Sequence, residues 1–380
     1  PVTGGARLSG KIGNDWRIGL LDIQTGSKED IPSSNFAAAV LQRQVFKRSN
    51  IVAFLINKQV TAGYNETLYS GNRYNRVAGL EYNLASLDDK WSGKAFFHQA
   101  FYPGATSGAS AVSGNIIYST PYLKATFDQS WIGSDYVAET GYIRRTGYFE
   151  TSPVVTYTFY PADSKILSHG PNFAFDIILD PDLNMTDRLT QLGYSVGMQN
   201  RNLLSLNVSE QFVKLDHPFD PTNTNGIKFD SGREFNWQSA SVNFTSDSRR
   251  MFYYTLSCAY GSYYNGSRSI ISGSINYRVQ PYGSIAITAT YNNISLPQPY
   301  NSAKLILIAP KLDITFTKNI FLTTFVQYNN QIENINTNIR FQWRFAPASD
   351  LYIVYSGNSY SYDIQNKNRG LVIKIIYWLN

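Results

Sequence analysis

The residues able to do chemistry are few and scattered. There are three histidines, His98, His169 and His217. The first two sit in strand-like segments far apart in sequence and the third in a loop, so no spacing brings them together as metal ligands. The stretch DPDLNMTD places oxygen ligands at alternate positions: Asp180, Asp182 and Asn184, followed by Asp187. That resembles the start of a calcium loop, but the glycine and the distal bidentate Glu are missing. It reads as an acidic loop with weak calcium candidates at Asp180, Asp182 and Asn184. No G-x-S-x-G elbow, no H-E-x-x-H and no convincing carboxylate pair occurs, so the expectation is a protein that is not an enzyme and carries no cofactor.

The remaining candidates are cations. Arg7, Lys11, Arg43, Lys311, Arg340 and Arg344 are read as lying on the polar phase of strands. On one side of a sheet they would form a basic wall favouring anions. The alternative is a set of interior charges paired with acids such as Asp313 and Asp176. Arg144 and Arg145, within GYIRRTGY, form a paired guanidinium suited to anionic sugar or lipopolysaccharide phosphate, or simply belong to a loop folded over one end of the strands. The loop LDHPFDPTNTNG, Leu215 to Gly226, is equally distinctive.

The elements that must position these residues are strands. In INTNIRFQWRF the odd positions Ile335, Thr337, Ile339, Phe341, Trp343 and Phe345 are mostly apolar, and the even positions Asn336, Asn338, Arg340, Gln342 and Arg344 are all polar. Period-two alternation of this length suits a strand and not a helix. The same rhythm recurs from Ala6 to the end of the chain. Short turns alternate with longer loops, among them Thr61 to Arg73, Gly133 to Glu150, Leu215 to Glu234 and Gly357 to Lys367. Strands of about ten to twelve residues match a tilted membrane strand and exceed the soluble norm of about five or six.

Composition agrees. The 380 residues are 43% hydrophobic, 16% charged and 15% aromatic, with 28 Tyr, 22 Phe and 6 Trp. Low charge and abundant Tyr suit half-wet strand faces and interfacial belts, and Phe341, Trp343, Phe345 and Tyr377 are the candidates for a lipid-facing aromatic belt. No apolar run reaches the roughly 18 residues of a spanning helix. The net charge is +6, without a Lys/Arg run or a nucleic-acid motif, so nucleic acid is not an expected partner. The one cysteine, Cys258, excludes an intrachain disulfide. The opening residues PVTGGARL carry no signal-peptide pattern, so the chain reads as a mature product or as one whose N-terminal part lies elsewhere.

The expected architecture is therefore all-β: a transmembrane antiparallel up-and-down barrel of roughly 20 to 22 strands, in one domain spanning residues 1–380. About 21 strands are counted. Since closed single-chain barrels favour even numbers, one further strand is expected before Pro1. A propeller with blades of 35 to 40 residues is the competing architecture, but its strands would be shorter.

The segments GGARLSGKIGNDWRIGLLDIQTG, NFAAAVLQRQVFKRSNIVAFLINKQ, SPVVTYTFYP and FQWRFAPASDLYIVYS resemble the C-terminal region of a Bacteroidota outer-membrane β-barrel family of unknown function. In that family a carbohydrate-binding-module family-nine-like domain precedes the barrel. The resemblance implies a bacterial outer-membrane location, contact with outer-membrane lipids and lipopolysaccharide, surface lipoproteins or other envelope subunits as partners, and a preceding domain and strand not present here. The functional expectation is a porin-like pore or an export component for a solute, polymer or protein. The alternatives are a plugged barrel anchoring an envelope complex, or a soluble carbohydrate-binding β-protein.

Overall fold

Alternating side chains and turn-forming residues at regular intervals give the whole chain to strands. The computed structural model describes every residue except 68, 163, 362–365, 379 and 380. The tip of the expected loop Gly357 to Lys367, and Leu379 in the last expected strand, lie outside the described residues. The strands are β1 (Val2–Ile12), β2 (Trp16–Thr25), β3 (Ser33–Val45), β4 (Ser49–Ala62), β5 (Tyr74–Ala85), β6 (Trp91–Phe101), β7 (Ser110–Ser119), β8 (Leu123–Ile132), β9 (Tyr148–Tyr157), β10 (Ile166–Leu179) and β11 (Met185–Met198). There follow β12 (Leu203–Lys214), β13 (Glu234–Thr245), β14 (Phe252–Tyr263), β15 (Gly266–Val279), β16 (Gly283–Ser295), β17 (Ala303–Thr317), β18 (Ile320–Asn329), β19 (Asn334–Ala346), β20 (Ser349–Tyr360) and β21 (Asn366–Ile376). Among the described residues there is no helix.

The 21 strands form one antiparallel up-and-down sheet. Each described ladder joins strands that are neighbours in sequence. Tight turns keep the meander going where β10 meets β11 (Asp180 N to Asn184 O, 2.9 Å) and where β11 meets β12 (Met198 N to Asn202 O, 2.8 Å). No ladder joins β1 to β21 among the described residues. The strands gather into two compact units, Pro1–Thr158 with Asn172–Thr190, and Phe159–Pro171 with Gln191–Asn380.

Within each unit the register sorts side chains onto two chemically distinct faces. In the first unit Leu8 stands opposite Leu20, Leu20 opposite Ala39 and Ala39 opposite Leu55, all on one face. In the second, Val242 pairs with Cys258, Cys258 with Ile271 and Ile271 with Tyr291 on the corresponding face. This apolar face is uncovered: Leu55 is 49% exposed, Leu256 47% and Ile271 53%. The opposite face is polar and knitted by cross-strand side-chain hydrogen bonds, including Ser113 with Ser130 (2.9 Å), Ser209 with Ser239 (2.9 Å), Asn243 with Ser257 (2.6 Å) and Thr255 with Ser274 (3.0 Å). A sheet with a water-facing polar side would bury its apolar side. Here the apolar clusters that are buried are small, one in each unit, and both lie where long loops meet the polar face.

Candidate functional site

The polar face carries the candidate chemistry, and its two ends differ. At the short-turn end of the first unit, Gly13 adopts a left-handed φ of 62° in the turn between β1 and β2. The turn sets Lys11 directly opposite Arg17. Arg17 in turn opposes Gln42 of β3, and Gln44 opposes Asn50 of β4. Together with Asn14, Asp15, Arg48 and Ser49 they line an open concavity of about 320 Å³. Arg48 is fixed at its rim, donating to the Ser86 carbonyl oxygen at 2.9 Å and pairing with Asp89, which raises the guanidinium pKa above its ordinary value. Arg7 shares this face farther along β1, opposite Leu21. Arg17 and Arg48 escaped the sequence reading. The Gly13–Asn14–Asp15 turn was the available signal, because its length fixes which residue faces Lys11.

Arg43 is a correction. It was read as belonging to the same polar phase as Arg7 and Lys11. The β2–β3 ladder instead puts it opposite Trp16, on the face of Ile18 and Leu41. Its guanidinium lies 5.2 Å from the centroid of the Trp16 ring. The physical reason is parity, since Leu41 and Arg43 are two apart and must share a face. At a strand end, a cation over an indole tolerates an apolar neighbourhood.

The long-loop end of the first unit is covered. The segment 133–147 between β8 and β9 folds over the polar face, and Tyr136 packs with Val77, Ala100, Ala109 and Ala111. Burial raises the Tyr136 phenol pKa. The loop is pinned by Lys58 of β4, whose ammonium meets the Glu139 carboxylate and donates to the Tyr69 hydroxyl at 2.7 Å. Glu139 also accepts from the Asn72 backbone (2.8 Å) and side chain (2.7 Å). Burial pushes the Glu139 carboxyl up, and the bonds from Lys58 and Asn72 outweigh it, leaving the pKa below its ordinary value. Asn75 closes the pin: its amide donates to the Val137 carbonyl (2.8 Å), and its oxygen accepts from the Glu139 N–H (3.1 Å). Of the candidate pair Arg144 and Arg145, the second is engaged within the protein. Arg145 donates to Asp187 (2.7 Å) and to the Thr186 hydroxyl (3.2 Å), which ties the loop to β11.

The second unit repeats the device with aromatic residues. The loop between β12 and β13 sets Phe229, fully buried, among Leu215, Phe235, Trp237, Ile294 and Leu296. The Arg233 guanidinium lies 5.1 Å from the ring centre of Phe229 and 5.2 Å from that of Phe235. Asp220 organises the loop, accepting from the backbone N–H groups of Thr222 (2.9 Å), Thr224 (3.1 Å) and Gly226 (3.0 Å). Burial raises its carboxyl pKa, but these bonds and the Thr222 hydroxyl lower it further, and the net shift is downward.

The other basic candidates sit on the polar face of the second unit with acids beside them. Lys311 pairs with Asp313 at 2.7 Å, and Arg344 with Asp350 at 3.3 Å. Arg340 stands opposite Thr323, which donates to Asp313 at 2.9 Å. On the other face, Phe341 opposes Ile353 and Trp343 opposes Leu351. Trp343 and Phe345 meet edge-on with centroids 5.9 Å apart, and Phe345 stacks on Tyr377 at 6.4 Å.

The acidic loop and the histidines have local partners. Asp180 accepts from the Asp182 and Asn184 N–H groups, each at 2.9 Å, so its carboxylate caps a hairpin turn, while Asp187 is taken by Arg145. His98 stacks on Phe96 (4.2 Å) and contacts Glu81 (3.2 Å), His169 meets the Tyr194 hydroxyl (2.5 Å), and His217 meets Asp216. Among the described residues no group of three or more His, Cys, Asp or Glu side chains converges to hold a metal. No protein-family model matches this chain, and no curated protein sequence is significantly similar to it.

Proposed function

We propose that this chain forms an outer-membrane β-barrel that conducts or exports a solute, polymer or protein. One observation carries the reading. Along the sheet the apolar face is the uncovered one, and the polar face carries the hydrogen-bonded side chains. Lipid acyl chains suit the first face and an aqueous interior the second. Strands of 10 to 15 residues fit a tilted crossing. The apolar face includes an open depression of about 670 Å³ lined by residues such as Leu256, Ile271, Ile287 and Ile308, which would accommodate acyl chains. The aromatic group of Trp343, Phe345 and Tyr377 suits a belt at the lipid–water boundary. The resemblance to a Bacteroidota barrel family points the same way. No helix among the described residues is long and apolar enough to cross a membrane, so any crossing is made by strands.

Closure is part of the proposal. An odd number of up-and-down strands leaves β1 and β21 pointing the same way, so an all-antiparallel barrel needs a further strand between their free edges. A second reading, a plugged barrel that anchors an envelope complex, is favoured by the loops pinned over the polar face in each unit. Two measurements decide. Full-length chain refolded with liposomes should float with them and resist alkaline extraction, and recovery in the aqueous phase without detergent would rule out the membrane assignment. In planar bilayers, discrete conductance steps support the pore, whereas silence from correctly inserted protein supports the anchor.

A further inference from the structure

Several cations elsewhere on the polar face have acceptors within reach: Lys94 pairs with Glu81 (2.9 Å), Lys311 with Asp313 (2.7 Å) and Arg344 with Asp350 (3.3 Å), while Arg268 donates to the Asn292 side-chain oxygen (3.2 Å) and Arg278 to the Ser248 carbonyl oxygen (3.1 Å). Lys11 and Arg17 differ. They stand directly opposite each other on the β1–β2 ladder. Among the described residues neither is in an ion pair, and Arg7 continues the positive row on the same face. Like charges directly opposed on a sheet are destabilising. Around them the concavity is lined by amides rather than acids: Gln42, Gln44 and Asn50, with Asp15 its one carboxylate and Arg48 held at its rim by Asp89. The Asn50 oxygen already accepts from Asn83 at 2.8 Å, which turns its amide N–H groups to donation.

We infer that this concavity, formed by Lys11, Arg17, Gln42, Gln44 and Asn50, binds a small oxyanion of phosphate to pyrophosphate size. The volume of about 320 Å³ admits such a group. The planar Arg17 fork suits two oxyanion oxygens, the Lys11 ammonium adds a point charge, and the Gln42 and Asn50 amides supply neutral donors, with the Gln44 amide already donating to the Lys47 carbonyl oxygen. A bound anion would also relieve the repulsion built into the ladder. Because the site is on the polar face, its occupant is a dissolved anion and not a lipid headgroup. The inference rests on the barrel reading only for that last statement.

The test uses the full chain folded in detergent, titrated calorimetrically with inorganic phosphate and inorganic pyrophosphate at low and high salt. One saturable site that weakens with salt is expected. Lys11→Gln and Arg17→Gln should each weaken binding at least tenfold. Each should also raise the thermal midpoint of the ligand-free protein, because repulsion is removed, an outcome opposite to that of losing a structural contact. Arg369→Gln on β21 should bind like the parent. No saturable binding of either probe, or unchanged affinity in both variants, would overturn the site. Competition by phosphatidylglycerol in nanodiscs would overturn the dissolved-anion assignment. Binding in detergent together with failed liposome flotation would sink the barrel reading and leave the site standing.

Discussion

Asp247 shows how one carboxylate can fix a hairpin. It lies in the turn between β13 and β14, accepts from the Arg249 side chain twice at 3.0 Å, and accepts from the Arg249 N–H at 3.1 Å. Chiefly the Arg249 side chain, then the backbone bond, hold its pKa down from 3.8 to about 2. A depressed folded-state pKa contributes stability that is complete above the unfolded value and is lost as pH falls through the folded one. The thermal midpoint of the parent should therefore exceed that of Asp247→Asn by a constant margin above about pH 4, with the gap closing between pH 4 and pH 2. A gap independent of pH across that window would contradict the assignment. Residue types alone did not show such roles. Asp180 read as a calcium candidate because alternate oxygens suggest a ligand set, yet backbone N–H groups two and four residues on occupy its carboxylate. For Arg43 the parity was already legible in the spacing from Leu41.

At the scale of elements, the loops decide what the polar face exposes. The Lys58–Glu139 pair is nearly dry, with side chains 4% and 16% exposed. Removing one partner of a buried pair costs roughly 3–5 kcal/mol, whereas replacing both is far milder. Lys58→Met should free the 133–147 loop to protease and lower the thermal midpoint, and Lys58→Met combined with Glu139→Gln should recover most of the loss. If the single and double variants behave alike, the pair is not what pins the loop. Gly133 gives a second test, because a Cβ there would collide with the Gly108 carbonyl oxygen. Gly133→Ala should open the same loop while the β7–β8 ladder survives, as read by limited proteolysis. If the pore reading holds, both Lys58→Met and Gly133→Ala should increase single-channel conductance.

For the whole molecule, the deciding quantity is the solvent met by the apolar face. Leu256 in mid-β14 is 47% exposed, and its neighbour Ser257 bonds to Asn243 on the opposite face. In lipid, Leu256→Arg should reduce the stability of the inserted protein by about 2–4 kcal/mol. Ser257→Arg, facing water, should cost less. A protein that exposes Leu256 to water would reverse the order, because an arginine there would be neutral or solubilising. Denaturant titration of the two variants in liposomes distinguishes the cases.

The alternation of apolar and polar residues, the turn chemistry and the segment lengths determined from sequence alone that this chain is all-β, antiparallel, and of about 21 strands. These are properties of residues two apart and of short turns, and a strand records them locally. Tertiary structure alone decided three things. It decided which cations meet carboxylates, since Lys311 with Asp313 is local but the opposition of Lys11 and Arg17 depends on hairpin register. It decided that the 133–147 and β12–β13 loops turn back onto the polar face, through partners such as Lys58 and Glu139 that lie 81 residues apart. It also left the apolar face of each unit uncovered, because burial depends on what packs against a strand and not on the strand's own pattern.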